Sequence, residues 1–286
     1  MNRIKQQIFA SKVYKMGYSG KGVRIAVLDT GVALHPDIAH NIIYYKDYIN
    51  QKSVAYDDNG HGTHICGILC GNGKLTGMAP NAELLVFKIL DKNGNGKTAD
   101  SLKALDWILK HHKKYNIRLL NFSMGYLSSG NPKMQIKLIE KLEKLWDEGV
   151  TIVTAAGNNG PKENSVTVPG ISRKVITVGS FGNDYTKYMS TFSGRGPTTC
   201  CIVKPEILAP GTDILSTCNN GGYERKSGTS MSAPIVCGAL ALAYEKNPAL
   251  TPVMLKILLY DTVERTSQEQ NQSWGVLNVD KLIEML

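Results

Sequence analysis

The chain of 286 residues has no apolar run near the roughly 18 residues that a membrane span needs. Its opening, Met1-Asn2-Arg3-Ile4-Lys5-Gln6-Gln7, leads into no apolar stretch of the kind found in a secretory signal. No membrane partner is expected. The expected location is the cytoplasm, or outside the cell if a signal and propeptide have been removed. Cysteine is sparse: Cys66, Cys70, Cys200, Cys201, Cys218 and Cys237 show none of the four-ligand spacing of a zinc site. They read as small buried thiols, which suits a reducing compartment. Acidic residues are in deficit, 24 against 33 basic ones, for a net charge of +9. The lysines are scattered, with groups at 110–114 and 133–144 that fall on expected helices. They read as solvated helix faces, so no nucleic-acid partner is expected. Repeats, low-complexity tracts and a Pro/Gly/Ser linker are missing too. The expectation is one domain over 1–286, with 1–20 as an N-terminal extension and neither a propeptide nor a C-terminal accessory domain. Nothing in the sequence sets an oligomeric state.

What is present is alternation. The segments 23–28, 84–90, 117–122, 150–155 and 174–178 are near-continuous apolar runs, as in strands buried on both faces. Between them lie helical patterns. Over 98–115, Leu102, Leu105, Ile108, Leu109 and His112 share one stripe. Asn131 reads as a helix cap, Pro132 as the first helical residue and Gly149 as the stop. Alternating strands and helices predict an α/β fold of three layers, with a mainly parallel central sheet flanked by helices. Sites in such sheets form at the carboxyl ends of the strands. Asp29 and Ser123 lie at two such ends, and Asn158 closely follows a third.

Three segments carry polar chemistry in apolar surroundings. Gly228-Thr229-Ser230-Met231-Ser232-Ala233-Pro234 puts Ser230 on a tight turn before an apolar helix. Its amide would face incoming negative charge and its hydroxyl would be free to attack. A serine hydroxyl needs a base. His61, in Asn59-Gly60-His61-Gly62-Thr63-His64, opens an apolar helix and can serve. Asp29, in Val27-Leu28-Asp29-Thr30-Gly31, can hold the imidazole and stabilise its charged form. His64 reads as a buried histidine bonded to backbone.

These motifs, in the order Asp, His, Ser, resemble those of the subtilisin-like serine proteases, or subtilases, from about Lys21 to Ala243. Among them, the chain resembles the compact intracellular bacterial members. The resemblance implies a serine endopeptidase that acts on a protein or peptide through an acyl-enzyme. It places Asp29, His61 and Ser230 as the triad and Asn158 as an oxyanion donor beside the Ser230 amide. It implies that Asn93-Gly94-Asn95-Gly96 and Ser123-Met124-Gly125 are extended segments between which substrate adds as a strand. Ala155, Ala156 and Gly157 would wall the P1 pocket. Thr167, at a position often glycine in the family, would close its far end. Thr98 and Ser101 would line P4. The loop 70–77 is short and carries Lys74, so the tight calcium site of many relatives is not expected, although Asp37 remains. No cofactor is expected to be required; a weak cation site near Glu206, using carbonyls from Gly170 to Val175, is an open alternative. So are dedicated processing of one precursor peptide and a catalytically silent binding or regulatory module.

Overall fold

Strand β1 (Arg24–Asp29) is buried along its whole length from Ile25 to Asp29. A strand with no exposed face needs cover on both sides. Helices supply it in the computed structural model, which describes residues 1–126, 131–182, 188–198, 202–265 and 272–286. The other strands are β2 (Ile42–Asp47), β3 (Glu83–Lys88), β4 (Ile117–Phe122), β5 (Thr151–Ala155), β6 (Ile176–Phe181), β7 (Ile207–Pro210), β8 (Ile214–Thr217), β9 (Tyr223–Lys226) and β10 (Gly275–Val276). Among the described residues, eight of them form one sheet in the order β10-β7-β6-β5-β4-β1-β3-β2. Every pairing in it is parallel. Strands β8 and β9 form a separate antiparallel hairpin.

The helices are α1 (Asn2–Gln7), α2 (Ser11–Lys15), α3 (His61–Cys70), α4 (Thr98–Tyr115), α5 (Pro132–Asp147), α6 (Thr229–Lys246), α7 (Pro252–Thr262) and α8 (Val279–Glu284). Helix α4 packs on α5, and α3 packs on α6. Helix α6 also runs across β4 to β7 and is apolar nearly all round, as a fully covered helix must be. The bounds of α4 match the periodicity of its sequence. Asn131 caps α5 by accepting the Met134 amide, with Pro132 at the first position. The expected α/β class is thus what the chain forms: a mainly parallel sheet flanked by helices. No helix among the described residues is long and apolar enough to cross a membrane.

Residues 1–20, expected as an extension, share the main core. Ile4, Ile8, Ala10 and Val13 are buried in it. The Val279 and Asp280 amides donate to the carbonyls of Ile8 and Phe9, both at 2.9 Å. Asp280 in turn accepts the Lys12 and Val13 amides at 3.1 Å. Cys66, Cys70, Cys218 and Cys237 are buried free thiols; Cys200 and Cys201 lie outside the described residues.

Candidate active site

Asp29 ends β1, Ser123 follows β4 directly, and Asn158 comes three residues after β5. The parallel sheet therefore delivers all three to one rim. Asp29 is fully buried. Its Oδ1 accepts the Thr30 amide at 2.7 Å and contacts His61 Nδ1 at 2.7 Å. His61 is the first residue of α3, as the sequence predicts, and its side chain is 26% exposed. Gly60 precedes it at φ +100°, a conformation that side chains with a β-carbon rarely adopt. Burial works against an imidazolium at His61. The charge and hydrogen bond of Asp29 outweigh it, so the His61 pKa lies above its ordinary value.

A second carboxylate holds this pair in place, and sequence reasoning passed over it. Asp57 Oδ1 accepts the Gly60 amide at 2.8 Å, the Asn59 amide at 3.1 Å and the Thr30 hydroxyl at 2.9 Å. Its Oδ2 accepts the Thr63 amide at 2.9 Å and hydroxyl at 2.7 Å. Thr30 Oγ1 accepts the Gly62 amide at 2.8 Å. Burial raises a carboxyl pKa, but here the hydrogen bonds prevail and Asp57 is held below the usual range. The signal was available: an aspartate just ahead of Asn-Gly and a helix start is a capping pattern.

Ser230 sits inside the first turn of α6, which starts at Thr229, and not on the turn before the helix as expected. Gly228, at φ +151° and ψ 160°, is the residue that precedes the helix. The Ser230 amide is still one of the unpaired donors at a helix N-terminus. Pro234 lacks the N–H that would close onto the Ser230 carbonyl. The Ser230 hydroxyl donates to the Ser123 carbonyl at 2.8 Å. Asn158 Oδ1 accepts from Thr229, so its Nδ2 is the end left to donate elsewhere. The Gly157 amide donates to the Thr229 hydroxyl at 3.1 Å.

The two expected substrate segments differ. Asn93 lies in a turn and Gly94 has φ +77°. Asp91 Oδ1 accepts the Asn93 and Asn95 amides, both at 2.9 Å, and folds them into a turn. An aspartate that can satisfy nearby amides competes with strand pairing. Lys97, at φ −87°, ψ 135°, is extended. Asn59 Nδ2 donates to the Lys92 carbonyl at 3.0 Å and ties this turn to the His61 loop. Ser123, Met124 and Gly125 lie outside regular structure, just before Tyr126 pairs with Val168.

Ala155, Ala156 and Gly157 line one side of the same region, and Thr167 stands between Gly125 and Gly157. A β-carbon at Gly125 would strike Thr167 Oγ1, and one at Gly157 would lie 2.6 Å from Thr167 Cγ2. The Thr167 amide donates to the Ala156 carbonyl at 3.0 Å. Further along, the Ser101 hydroxyl meets Tyr126 Oη at 2.8 Å, so an aromatic ring joins the small side chains expected there.

His64 is fully buried. Its Nε2 contacts the carbonyls of Ile214 at 3.0 Å and Glu224 at 3.3 Å, which fastens the β8–β9 hairpin to α3. Burial lowers its pKa to about 4.

The places considered for cations are filled by donors. Asp37 accepts the Lys74 amide at 3.2 Å, the Leu75 amide at 2.9 Å and the Tyr223 hydroxyl at 2.7 Å. Glu206 Oε1 faces Lys204 Nζ at 2.6 Å and Lys256 Nζ at 2.8 Å, and its Oε2 accepts the Thr177 amide. The Val175 carbonyl accepts from both ammoniums, each at 3.0 Å. Burial pushes the Lys204 pKa down to about 8. These acceptors thus face two lysine ammoniums where the sequence offered a place for a metal ion. Among the described residues no group of three or more His, Cys, Asp or Glu could hold one.

The chain has counterparts among known proteins, in sequence and in structure. The family described as the Subtilase family matches residues 20–276. The chain is similar to serine protease AprX of Bacillus subtilis (strain 168), with 36% identity over 93% of this chain and 67% of that protein. It is similar to subtilisin DY of Bacillus licheniformis, with 30% identity over 96% of this chain and 95% of that protein. Among solved structures, a cold adapted subtilisin-like serine proteinase superposes with a TM-score of 0.76 at 29% identity, over 90% of each chain. Sphericase does so with a TM-score of 0.79 at 30% identity, over 86% of this chain and 84% of that one.

Proposed function

Since the chain belongs to the subtilase family and is a subtilisin-like serine protease, we propose that its reaction runs through Ser230, His61 and Asp29. The observation that carries this reading is the 2.7 Å contact of His61 Nδ1 with Asp29 Oδ1 on the rim where Ser230 opens α6. Nδ1 gives its hydrogen to Asp29, which leaves the Nε2 lone pair to act as base. The Ser230 hydroxyl leaves the Ser123 carbonyl for Nε2, loses its proton there and attacks the scissile carbonyl. Oxyanion charge then falls to the Asn158 Nδ2 and the Ser230 amide. His61 returns the proton to the leaving amine, and water hydrolyses the acyl-enzyme by the same route.

The substrate is protein or peptide. We assign Gly96-Lys97 and Ser123-Met124-Gly125 as the segments that flank it, with Thr167 closing P1. The reading is endopeptidase action in the cytoplasm, without a required metal. Four buried free thiols support the location, and the lysine-filled acceptors at Glu206 support metal independence.

The test uses a peptide blocked at both ends and a fluorophosphonate probe. The parent should cut the peptide internally and take the label. Ser230→Ala should do neither. A Ser230→Ala protein labelled as fully as the parent removes the assignment.

A further inference from the structure

Lys88 is the last residue of β3 and stands beside Asp29 in the sheet register. Its side chain is fully buried, and the proposed reaction gives its ammonium no part. An ammonium carries three protons. Three acceptors meet them: the Thr30 carbonyl at 2.5 Å, Asp58 Oδ1 at 2.7 Å and the Leu90 carbonyl at 2.8 Å. A buried charge is tolerated only when it is paired and hydrogen-bonded, and this one is fully matched. The Tyr56 ring adds a cation–π contact at 5.0 Å.

The three acceptors belong to three different parts of the site. Thr30 directly follows Asp29. Asp58 lies on the loop that runs from Asp57 to His61. Leu90 leads into the Asp91 turn and so to Gly96-Lys97. The Asp57 network joins the first two segments, and the Asn59 side chain reaches the third. Lys88 grips all three at once. Two of its three acceptors are backbone carbonyls, whose positions cannot relax by side-chain rotation; the third is the Asp58 carboxylate.

We propose that Lys88 is a positioning residue for this enzyme: its ammonium sets the spacing between the Asp29 loop, the His61 loop and the substrate-flanking Gly96-Lys97 stretch. The proposal rests on the catalytic assignment above. It predicts that loosening Lys88 disturbs the triad and the substrate segment together. A lysine that served the scaffold alone would change the amount of folded enzyme and leave the constants of each active site untouched.

The experiment is Lys88→Met, which keeps the length of the side chain and removes every donor. Active sites are counted by titration with a fluorophosphonate, and kcat and KM are measured per titrated site on a tetrapeptide amide. The expected result is a fall in kcat of about 10–100-fold, the size that follows a displacement of roughly 1 Å in a reacting geometry. KM should rise about threefold or more, because binding at the substrate segment weakens as well. Constants within twofold of the parent overturn the proposal, even if the melting temperature drops. So does a change confined to one of the two constants. If Lys88→Met does not fold, Asp58→Ala replaces it. That change removes one tether from a carboxylate that is 36% exposed and should lower kcat about 3–10-fold; parent constants there overturn the proposal too. Ser230→Ala is run alongside. Labelling of Ser230→Ala would remove the catalytic assignment itself. A silent Ser230→Ala beside a parent-like Lys88→Met would leave that assignment standing and remove only the role of Lys88.

Discussion

Asn158 Oδ1 accepts two hydrogen bonds from Thr229, one from its amide at 3.0 Å and one from its hydroxyl at 3.1 Å. The carboxamide cannot flip without losing both, so its N–H₂ end stays aimed away from Thr229. Asn158→Ala should lower kcat by about 10²–10³ with little change in KM, the size established for such a donor in subtilisin itself. Thr229→Val keeps the shape and the amide bond but loses the hydroxyl, and should lower kcat about tenfold, one hydrogen bond's worth of orientation. Steady-state kinetics on a peptide amide check both. An Asn158→Ala enzyme with parental kcat would remove Asn158 from the oxyanion site.

The raised pKa of His61 sets the pH dependence. Burial disfavours the imidazolium, but Asp29 more than compensates. The reacting form is neutral, so kcat/KM should fall as pH drops through a value above the ordinary 6.5 or so. Stability runs the opposite way. The pair of charged His61 and Asp29 contributes fully below the unfolded-state pKa, and the contribution is lost as pH rises through the folded value. Asp29→Asn should move the acid limb to lower pH and lower the plateau about 10⁴-fold. A profile flat from about pH 5 to 9 would contradict a histidine base.

Thr167 occupies the space between Gly125 and Gly157, so P1 should accept small and medium side chains and disfavour Phe and Trp. Thr167→Gly should raise kcat/KM for a Phe P1 substrate about 10–100-fold relative to Ala, since each methylene of pocket is worth about 1–3 kcal/mol of discrimination. A peptide series varied only at P1 measures it. A parent enzyme that already prefers Phe would show that substrate does not enter at Thr167.

Asp37 already accepts hydrogen bonds from two amides and a tyrosine hydroxyl. Burial pushes its pKa up, but the Leu75 and Lys74 amides and the Tyr223 hydroxyl outweigh burial and hold it low. Its contribution is therefore present above the unfolded carboxylate pKa and lost as pH falls through the folded value. The melting temperature at neutral pH should be nearly the same in millimolar calcium and in EDTA. A drop of more than about 10 °C in EDTA, several kcal/mol at this size, would contradict that. Asp37→Ala should cost about 2–4 kcal/mol, from the loss of several bonds to a charged acceptor, as read by denaturant midpoint.

Much of this was legible in the residues. Strands β1, β3, β4 and β5 are near-continuous apolar runs, and Thr98–Tyr115 declares both ends of α4. The triad could be read because each member sits beside glycines in a short motif. Edge strand β2 hid because its burial alternates irregularly, and β10 because two residues carry no period. The turn at Asn93–Asn95 was misread because its cause is the side chain of Asp91, one residue outside the Gly-Asn pattern. Asp57 gave no pattern for its bond to Thr30, and Lys88 gave none for its partners. Their hydrogen bonds join segments that meet only once the sheet has formed.

The contact between α2 and α8 has a consequence for biosynthesis. Lys12 and Asp280 are 268 positions apart, and closing such a loop costs about 5 kcal/mol of chain entropy. At roughly 5–20 residues per second of translation, α1 and α2 wait roughly 13–54 s for the helix that covers them. Asp29, His61 and Ser230 have all been translated before that partner exists. A nascent chain halted before residue 275 has Ile8 and Val13 without their cover and β7 paired with β6 alone. The core around α1 and α2 is therefore sealed only after α8 has been made.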